Sequence, residues 1–329
     1  MACALTAFAP AQELSGRDRA LLAEARHLWS TLAEDIWPGT SRVEAPFVYI
    51  QGDHEFAIGF PRSIAGFRDT SGELFGKPVQ VRKRVFGSNM TASFPVDGVP
   101  AVVIGAPEST GRTLGGWLLT AGHEMFHVFQ AANNSYAKVA AAQIGPADDA
   151  SWHLTFPFPY SDADVMRLVH LQGYLVWLAG QSPAVEDSIY NIGAALDAVA
   201  VYRDHLTRMQ GNDKSYRYSQ FQEWNEGGAA YFEYRLAQKA AAGAYRPTDA
   251  YAALPEFEPY ANIWRNQYEA RPFLTKHAGR AAKSRSAFYH LGTGKALALD
   301  KVYQGWKARY FVPGLWFDDL LAEAMERTR

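Results

Sequence analysis

The chain has 329 residues, of which 48% are hydrophobic and 20% charged, with 32 basic and 34 acidic side chains. That apolar content supports a large folded core and excludes a mainly disordered chain. The near-balance of charge excludes a strongly basic surface for nucleic acid, and the single cysteine excludes a disulfide scaffold. No apolar run reaches the 18 or so residues that a membrane span requires, so we expect none.

Residues 1–11 form a short apolar start, MACALTAFAPA, before the sequence turns polar at Gln12. The small residues before Ala11 are typical of the end of a secretory signal, although a basic leading region and a full-length apolar core are missing. We expect the protein to be exported, to the periplasm or the medium. If residues 1–11 are instead a frayed terminus, the protein is cytoplasmic.

Residues 12–110 are predicted to form one helix and a β-rich portion. Apolar residues spaced by three and four over 16–37 predict an amphipathic helix, which Pro38-Gly39 ends. Short β-branched and aromatic segments then predict a mostly antiparallel sheet. The predicted strands cover residues 47–50, 56–60, 79–86 and 99–105.

Beyond residue 110 the sequence is predicted to be mainly helical to its end. The predicted helices lie near residues 113–132, 162–179, 185–209, 219–241, 285–303 and 316–327. A β-rich portion followed by a helical portion indicates the α+β class.

The most informative motif is His123-Glu124-x-x-His127, which lies in the predicted helix over 113–132. In an α-helix, residues i and i+4 lie on one face a turn apart, so both imidazoles can reach one metal ion. Glu124 projects beside them, where it can act on a water molecule without binding the ion. Apolar neighbours keep the surroundings dry, which strengthens electrostatic interactions. The alternative interpretation is two core histidines on an ordinary buried helix.

A catalytic zinc site needs a third protein ligand, and a helix-forming segment downstream can supply it. Glu226 and Glu233 are two helical turns apart, so one can bind the metal while the other accepts a hydrogen bond from a ligand histidine. Glu223 competes for either role. The Gly227-Gly228 pair is costly inside a helix, and close packing against the helix that carries the histidines would explain it.

These residues resemble the gluzincin branch of the zinc metallopeptidases, most closely the aminopeptidase-N type. In that family the two histidines are followed by an Asn-Glu-Gly-x-Ala-x-Tyr helix, and residues 225–231 read NEGGAAY here. A Tyr-x-x-Gly arrangement follows at residues 289–292. The chain departs from the family in the long segment between His127 and Glu226. It also lacks the family's Gly-x-Met-Glu-Asn strand.

The resemblance implies a zincin-like catalytic portion over residues 111–329, with residues 134–222 as an insertion. It assigns Zn²⁺ to three ligands: His123, His127 and Glu226. It makes Glu124 the general base and Tyr289 the donor that stabilises the oxyanion. His290, which is adjacent to Tyr289 in sequence, is a second choice for that donor. Glu233 is then the carboxylate that supports a ligand histidine.

We therefore expect a zinc-dependent metallopeptidase that acts on peptide or protein substrates and has no nucleic-acid partner. Two alternatives stay open. One is a catalytically inert, peptidase-like protein that binds a peptide or partner, and the intact Glu124 argues against it. The other is a zinc hydrolase with a non-peptide substrate. No Gly-x-Ser-x-Gly motif is present to indicate a serine hydrolase.

Overall fold

The computed structural model describes residues 13–133, 135–146, 148–149, 151–269 and 284–328. They divide into two compact units. The first comprises the described parts of Met1–Thr31, Ser41–Val128 and Arg246–Glu258, and the second those of Leu32–Thr40, Phe129–Tyr245 and Pro259–Arg329. The predicted signal remnant at residues 1–11 lies outside the described residues.

The first unit contains a six-stranded mixed sheet. Its strands are β1 (Phe47–Gln51), β2 (His54–Ile58), β3 (Arg68–Leu74), β4 (Lys77–Lys83), β5 (Thr91–Val96) and β6 (Val99–Gly105). They lie in the order β3-β4-β2-β1-β6-β5. Every neighbouring pair is antiparallel except β1 and β6, which run parallel. The predicted mostly antiparallel sheet is confirmed.

The central strands of this sheet are buried on both faces, which explains their nearly continuous apolar sequences. A carboxylate that lies in this layer, that of Glu55, is well paired. Glu55 on β2 is fully buried, and its carboxylate accepts hydrogen bonds from Arg82 Nε at 2.6 Å and from the Val85 backbone N–H at 2.7 Å. These bonds replace the water that the carboxylate loses on folding.

Helices account for most of the remaining described structure. They are α1 (Gly16–Ile36), α2 (Pro107–Thr110), α3 (Leu114–Ala132), α4 (Ser135–Ala142), α5 (Trp152–Thr155), α6 (Ala163–Gln181), α7 (Val185–Gln210), α8 (Lys214–Gln222), α9 (Gly228–Ala241), α10 (Asp249–Ala252), α11 (Tyr260–Trp264), α12 (Ser286–Val302), α13 (Trp306–Arg309) and α14 (Phe317–Arg327). π-turns occupy Glu223–Gly227 and Arg265–Glu269. A β-rich portion followed by a helical one confirms the α+β class.

The helix α12 lies at the centre of the second unit, where it packs against α6, α7, α9, α14 and the π-turn Glu223–Gly227. Its residues from Leu291 to Leu299 are all buried, as expected for a helix that is covered on every side. Lys295 is the charged residue within that run, and it forms ion pairs. Across the described ranges, no helix is both long and apolar enough to cross a bilayer.

Candidate metal centre

The helix α3 presents both predicted histidine ligands next to each other. It covers Leu114–Ala132, close to the predicted bounds, and most of its side chains are buried. The rings of His123 and His127 have centroids 4.9 Å apart and planes inclined at 76°. Glu124 is buried on the same helical turn. The i, i+4 spacing therefore places two imidazoles side by side, as the motif predicts.

Glu226 joins the two histidines. The potential ligand atoms of His123, His127 and Glu226 all lie within 4.8 Å of one another, and no other such group occurs in the described part of the chain. Two imidazole nitrogens and a carboxylate oxygen match the ligand chemistry of zinc. Zinc bonds of about 2.0–2.2 Å require only a small further approach of these side chains. Three protein ligands leave a fourth position open, so the set fits a catalytic metal site.

Glu226 lies in a π-turn, Glu223–Gly227, that separates α8 from α9. Such turns alter the hydrogen bonding of the helix and are frequent at functional sites. Gln130, on the last turn of α3, donates from Nε2 to the carbonyl oxygens of Trp224 at 3.3 Å and Asn225 at 3.0 Å. The last turn of α3 is therefore bonded directly to the turn that carries Glu226.

The two glycines after Glu226 are explained by close packing, but the prediction was wrong about the neighbour. A Cβ atom at Gly227 would lie 2.6 Å from the Cα of Gly292 on α12, and one at Gly228 would collide with the Tyr310 hydroxyl. The close partner of Gly227 is therefore α12 rather than the helix with the histidines. Backbone meets backbone at this point, which leaves no room for a side chain.

Gly292→Ala should destabilise the protein. Its Cβ would lie 2.5 Å from the Glu223 carbonyl oxygen and 2.7 Å from the Gly227 Cα, and neither backbone atom can move alone. We expect a loss of about 1–3 kcal/mol in unfolding free energy, measured in urea. Gly173→Ala on α6 is the matched control because nothing lies within 4 Å of its Cβ. Similar effects of both substitutions would contradict the packing.

Glu223, the predicted competitor for the third ligand, binds a lysine instead. Its Oε2 accepts a hydrogen bond of 2.6 Å from Lys295 Nζ, which also bonds to Asp318. All three side chains are buried. Burial raises the pKa of Glu223 to about 7, against the opposing effect of the Lys295 charge. Within one π-turn, Glu223 thus belongs to a buried ion cluster. Glu226 belongs to the metal group, by which we mean the three potential ligands His123, His127 and Glu226.

Glu233 lies on α9, where it accepts a hydrogen bond of 3.0 Å from the Tyr268 hydroxyl. Burial raises the pKa of Tyr268, and the charge of Glu233 raises it further. The role of Glu233 beside a ligand histidine stays a prediction.

Arg285 is a charged neighbour of the metal group that the sequence analysis missed. It lies just before α12, and its Nη1 is 3.4 Å from Glu226 Oε1. Its guanidinium carbon is 5.9 Å from the centre of the Tyr289 ring. Tyr289, the predicted oxyanion donor, is half-buried and is thus linked to Glu226 through Arg285. The i, i+4 spacing of Arg285 and Tyr289 is the signal that could have indicated this residue.

The aromatic segment 152–160 contributes to the surroundings of Arg285. The hydroxyl of Tyr160 lies 3.3 Å from that of Tyr218 on α8. Burial raises the pKa of Tyr218, while the charges of Arg285 and Glu226 act on it in opposite directions. The charge of Arg285 also acts on Tyr160, so both tyrosines are within range of this guanidinium.

No protein-family model, curated protein or solved structure matches this chain. The centre is characterised by its side chains. These are two adjacent imidazoles and a carboxylate that can hold one divalent ion, and a guanidinium lies beside that carboxylate. Glu124 is buried on the same helical turn as His123.

Proposed function

We propose that this protein is a zinc-dependent peptidase that hydrolyses peptide bonds with Glu124 as general base. The observation that carries the proposal is the approach of His123, His127 and Glu226 to within 4.8 Å of one another. A divalent ion bound there supplies Lewis acidity toward a carbonyl oxygen and lowers the pKa of a water molecule. The resemblance of the motifs to those of the gluzincin peptidases supports zinc and peptide substrates.

Glu124 holds and moves the proton in this proposal. Its carboxylate accepts a proton from the water molecule that attacks the peptide carbonyl carbon. It then donates that proton to the nitrogen as the C–N bond breaks, which restores the carboxylate for the next turnover. Because Glu124 shares a helical turn with His123, backbone hydrogen bonds fix its position relative to that ligand.

Tyr289→Phe should lower kcat by about 10²–10³-fold, the usual effect of removing one oxyanion donor, and leave zinc content unchanged. The substitution keeps the ring that lies near Arg285 and removes only the hydroxyl. Steady-state kinetics and elemental analysis on the same sample provide the two measurements. The control is Tyr190→Phe on α7, since Tyr190 is highly exposed. A loss of less than threefold would assign the donor elsewhere, with His290 next to be tested.

The proposal is tested by metal analysis followed by a substrate screen. We expect one zinc ion per chain, its loss with a chelator, and cleavage of a mixed peptide library that zinc restores. A zinc-loaded protein that cleaves no peptide but hydrolyses esters or other amides would favour a non-peptide substrate. A zinc-loaded protein with no hydrolytic activity would favour a peptide-binding protein. A chain that binds no divalent ion would overturn the proposal.

A further inference from the structure

Arg285 offers hydrogen-bond donors next to the metal group. Its Nη1 bonds to Glu226 Oε1 at 3.4 Å, whereas its Nε and Nη2 have no acceptor among the residues that the structure describes. Its side chain is 32% exposed. The side chain is therefore partly exposed while its Nη1 contacts a proposed metal ligand.

The charges of the centre favour an anionic ligand. Two neutral imidazoles, the carboxylates of Glu124 and Glu226 and one divalent ion sum to zero, and Arg285 adds a positive charge. A guanidinium is planar and binds a carboxylate through two parallel hydrogen bonds. Tyr218 is buried and Tyr160 half-buried within range of the Arg285 charge, and electrostatic interactions are stronger where water is partly excluded.

A peptide carries a backbone carboxylate only at its C-terminus. We propose that Arg285 binds this C-terminal carboxylate, so that the enzyme removes residues from the end of a peptide chain rather than cutting within it. The inference rests on the proposed function and deepens it, since it names free C-termini as the substrate class. In this arrangement Nε and Nη2 of Arg285 donate hydrogen bonds to the substrate carboxylate, and Nη1 of Arg285 remains in contact with Glu226.

The experiment measures binding without turnover. Zinc-loaded Glu124→Gln protein is titrated in a calorimeter with N-acetyl-Ala-Phe and with its C-terminal amide. We expect the acid to bind about 10- to 100-fold more tightly, the range of a hydrogen bond to a charged group. In the double variant that carries Arg285→Gln as well as Glu124→Gln, the preference for the acid should fall to less than threefold. Adding Arg285→Lys should leave an intermediate preference, because the charge remains but the planar fork is lost.

The control is Arg265→Gln, which removes the same charge from an exposed position in the π-turn Arg265–Glu269 and should leave the preference intact. Equal binding of acid and amide, binding of neither, or a preference that survives Arg285→Gln would overturn the inference. The inference would also be overturned if Arg285→Gln bound zinc more weakly but kept its preference for the acid over the amide. Arg285 would then be only a positioning residue for Glu226.

The two proposals fail in different ways. If the wild-type protein holds zinc and prefers the acid but cleaves no peptide, the peptidase proposal is wrong and the carboxylate site stands. If the wild-type protein cleaves acid and amide peptides equally well, the peptidase stands and the role of Arg285 is wrong. If the protein holds no zinc, both are wrong.

Discussion

Replacing Glu124 by glutamine should lower kcat by about 10²–10⁴-fold, the contribution of a general base, and leave the protein folded and zinc-loaded. The amide has nearly the size of the carboxylate, so the buried position keeps its packing. It cannot accept a proton from the attacking water. Zinc content should not change, because Glu124 is not among the three side chains that can hold the ion.

The measurement combines turnover of the best substrate from the library screen with zinc analysis and thermal unfolding of the same preparation. Glu186→Gln is the matched control, since Glu186 lies exposed in the first turn of α7. Wild-type turnover in Glu124→Gln would remove the general base from the proposal. Loss of zinc in that variant would instead make Glu124 a ligand.

Glu226→Ala should abolish zinc binding at micromolar metal concentration. The change leaves two imidazoles on one helix, and a catalytic zinc site ordinarily has three protein ligands. Loss of the ion also removes its contribution to stability, which for a ligand at a thousand times its Kd is about 4.1 kcal/mol. Zinc stoichiometry after dialysis and the shift of Tm on adding zinc measure both effects. The wild-type Tm should rise with zinc, and that of the variant should not.

Glu233→Ala is the comparison that tests this ligand assignment. A carboxylate that only supports a ligand histidine should weaken zinc binding by about 10–100-fold without removing the site. If Glu226→Ala retains one zinc ion and Glu233→Ala loses it, the third ligand is Glu233. A zinc-dependent Tm shift in Glu226→Ala equal to that of the wild type would leave the metal site without its proposed third ligand.

The long helices could be predicted because their apolar residues repeat with the period of the helix. The predicted 185–209 is α7, Val185–Gln210, and the predicted 316–327 is α14, Phe317–Arg327. The outer strand β3 could not be predicted, for the opposite reason. β3 reads RDTSGEL and has a single apolar side chain, so it carries no alternating pattern. Backbone pairing with β4 makes it a strand, and only the folded sheet provides that partner.

The α-helical periodicity used for the prediction does not hold across the π-turn Glu223–Gly227. The sequence predicts one helix over 219–241, and regular α-geometry would put Glu223 and Glu226 near the same face. In the structure they have different partners, Lys295 and the histidine pair. The turn is in close backbone contact with Gly292 on α12, and a single helix cannot reveal such a contact.

The π-turn Glu223–Gly227 also makes the number of residues a determinant of this site. A π-turn accommodates one residue more than an α-helical turn, so deleting one residue between Glu223 and Glu226 would allow α-helical bonding to continue from α8 into α9. The two helices would keep nearly their present faces, whereas the residues that remain in the shortened turn would change position. All three proposed metal ligands would still be encoded. Loss of zinc binding in such a deletion variant would therefore show that the proposed site depends on the width of this turn as well as on its side chains.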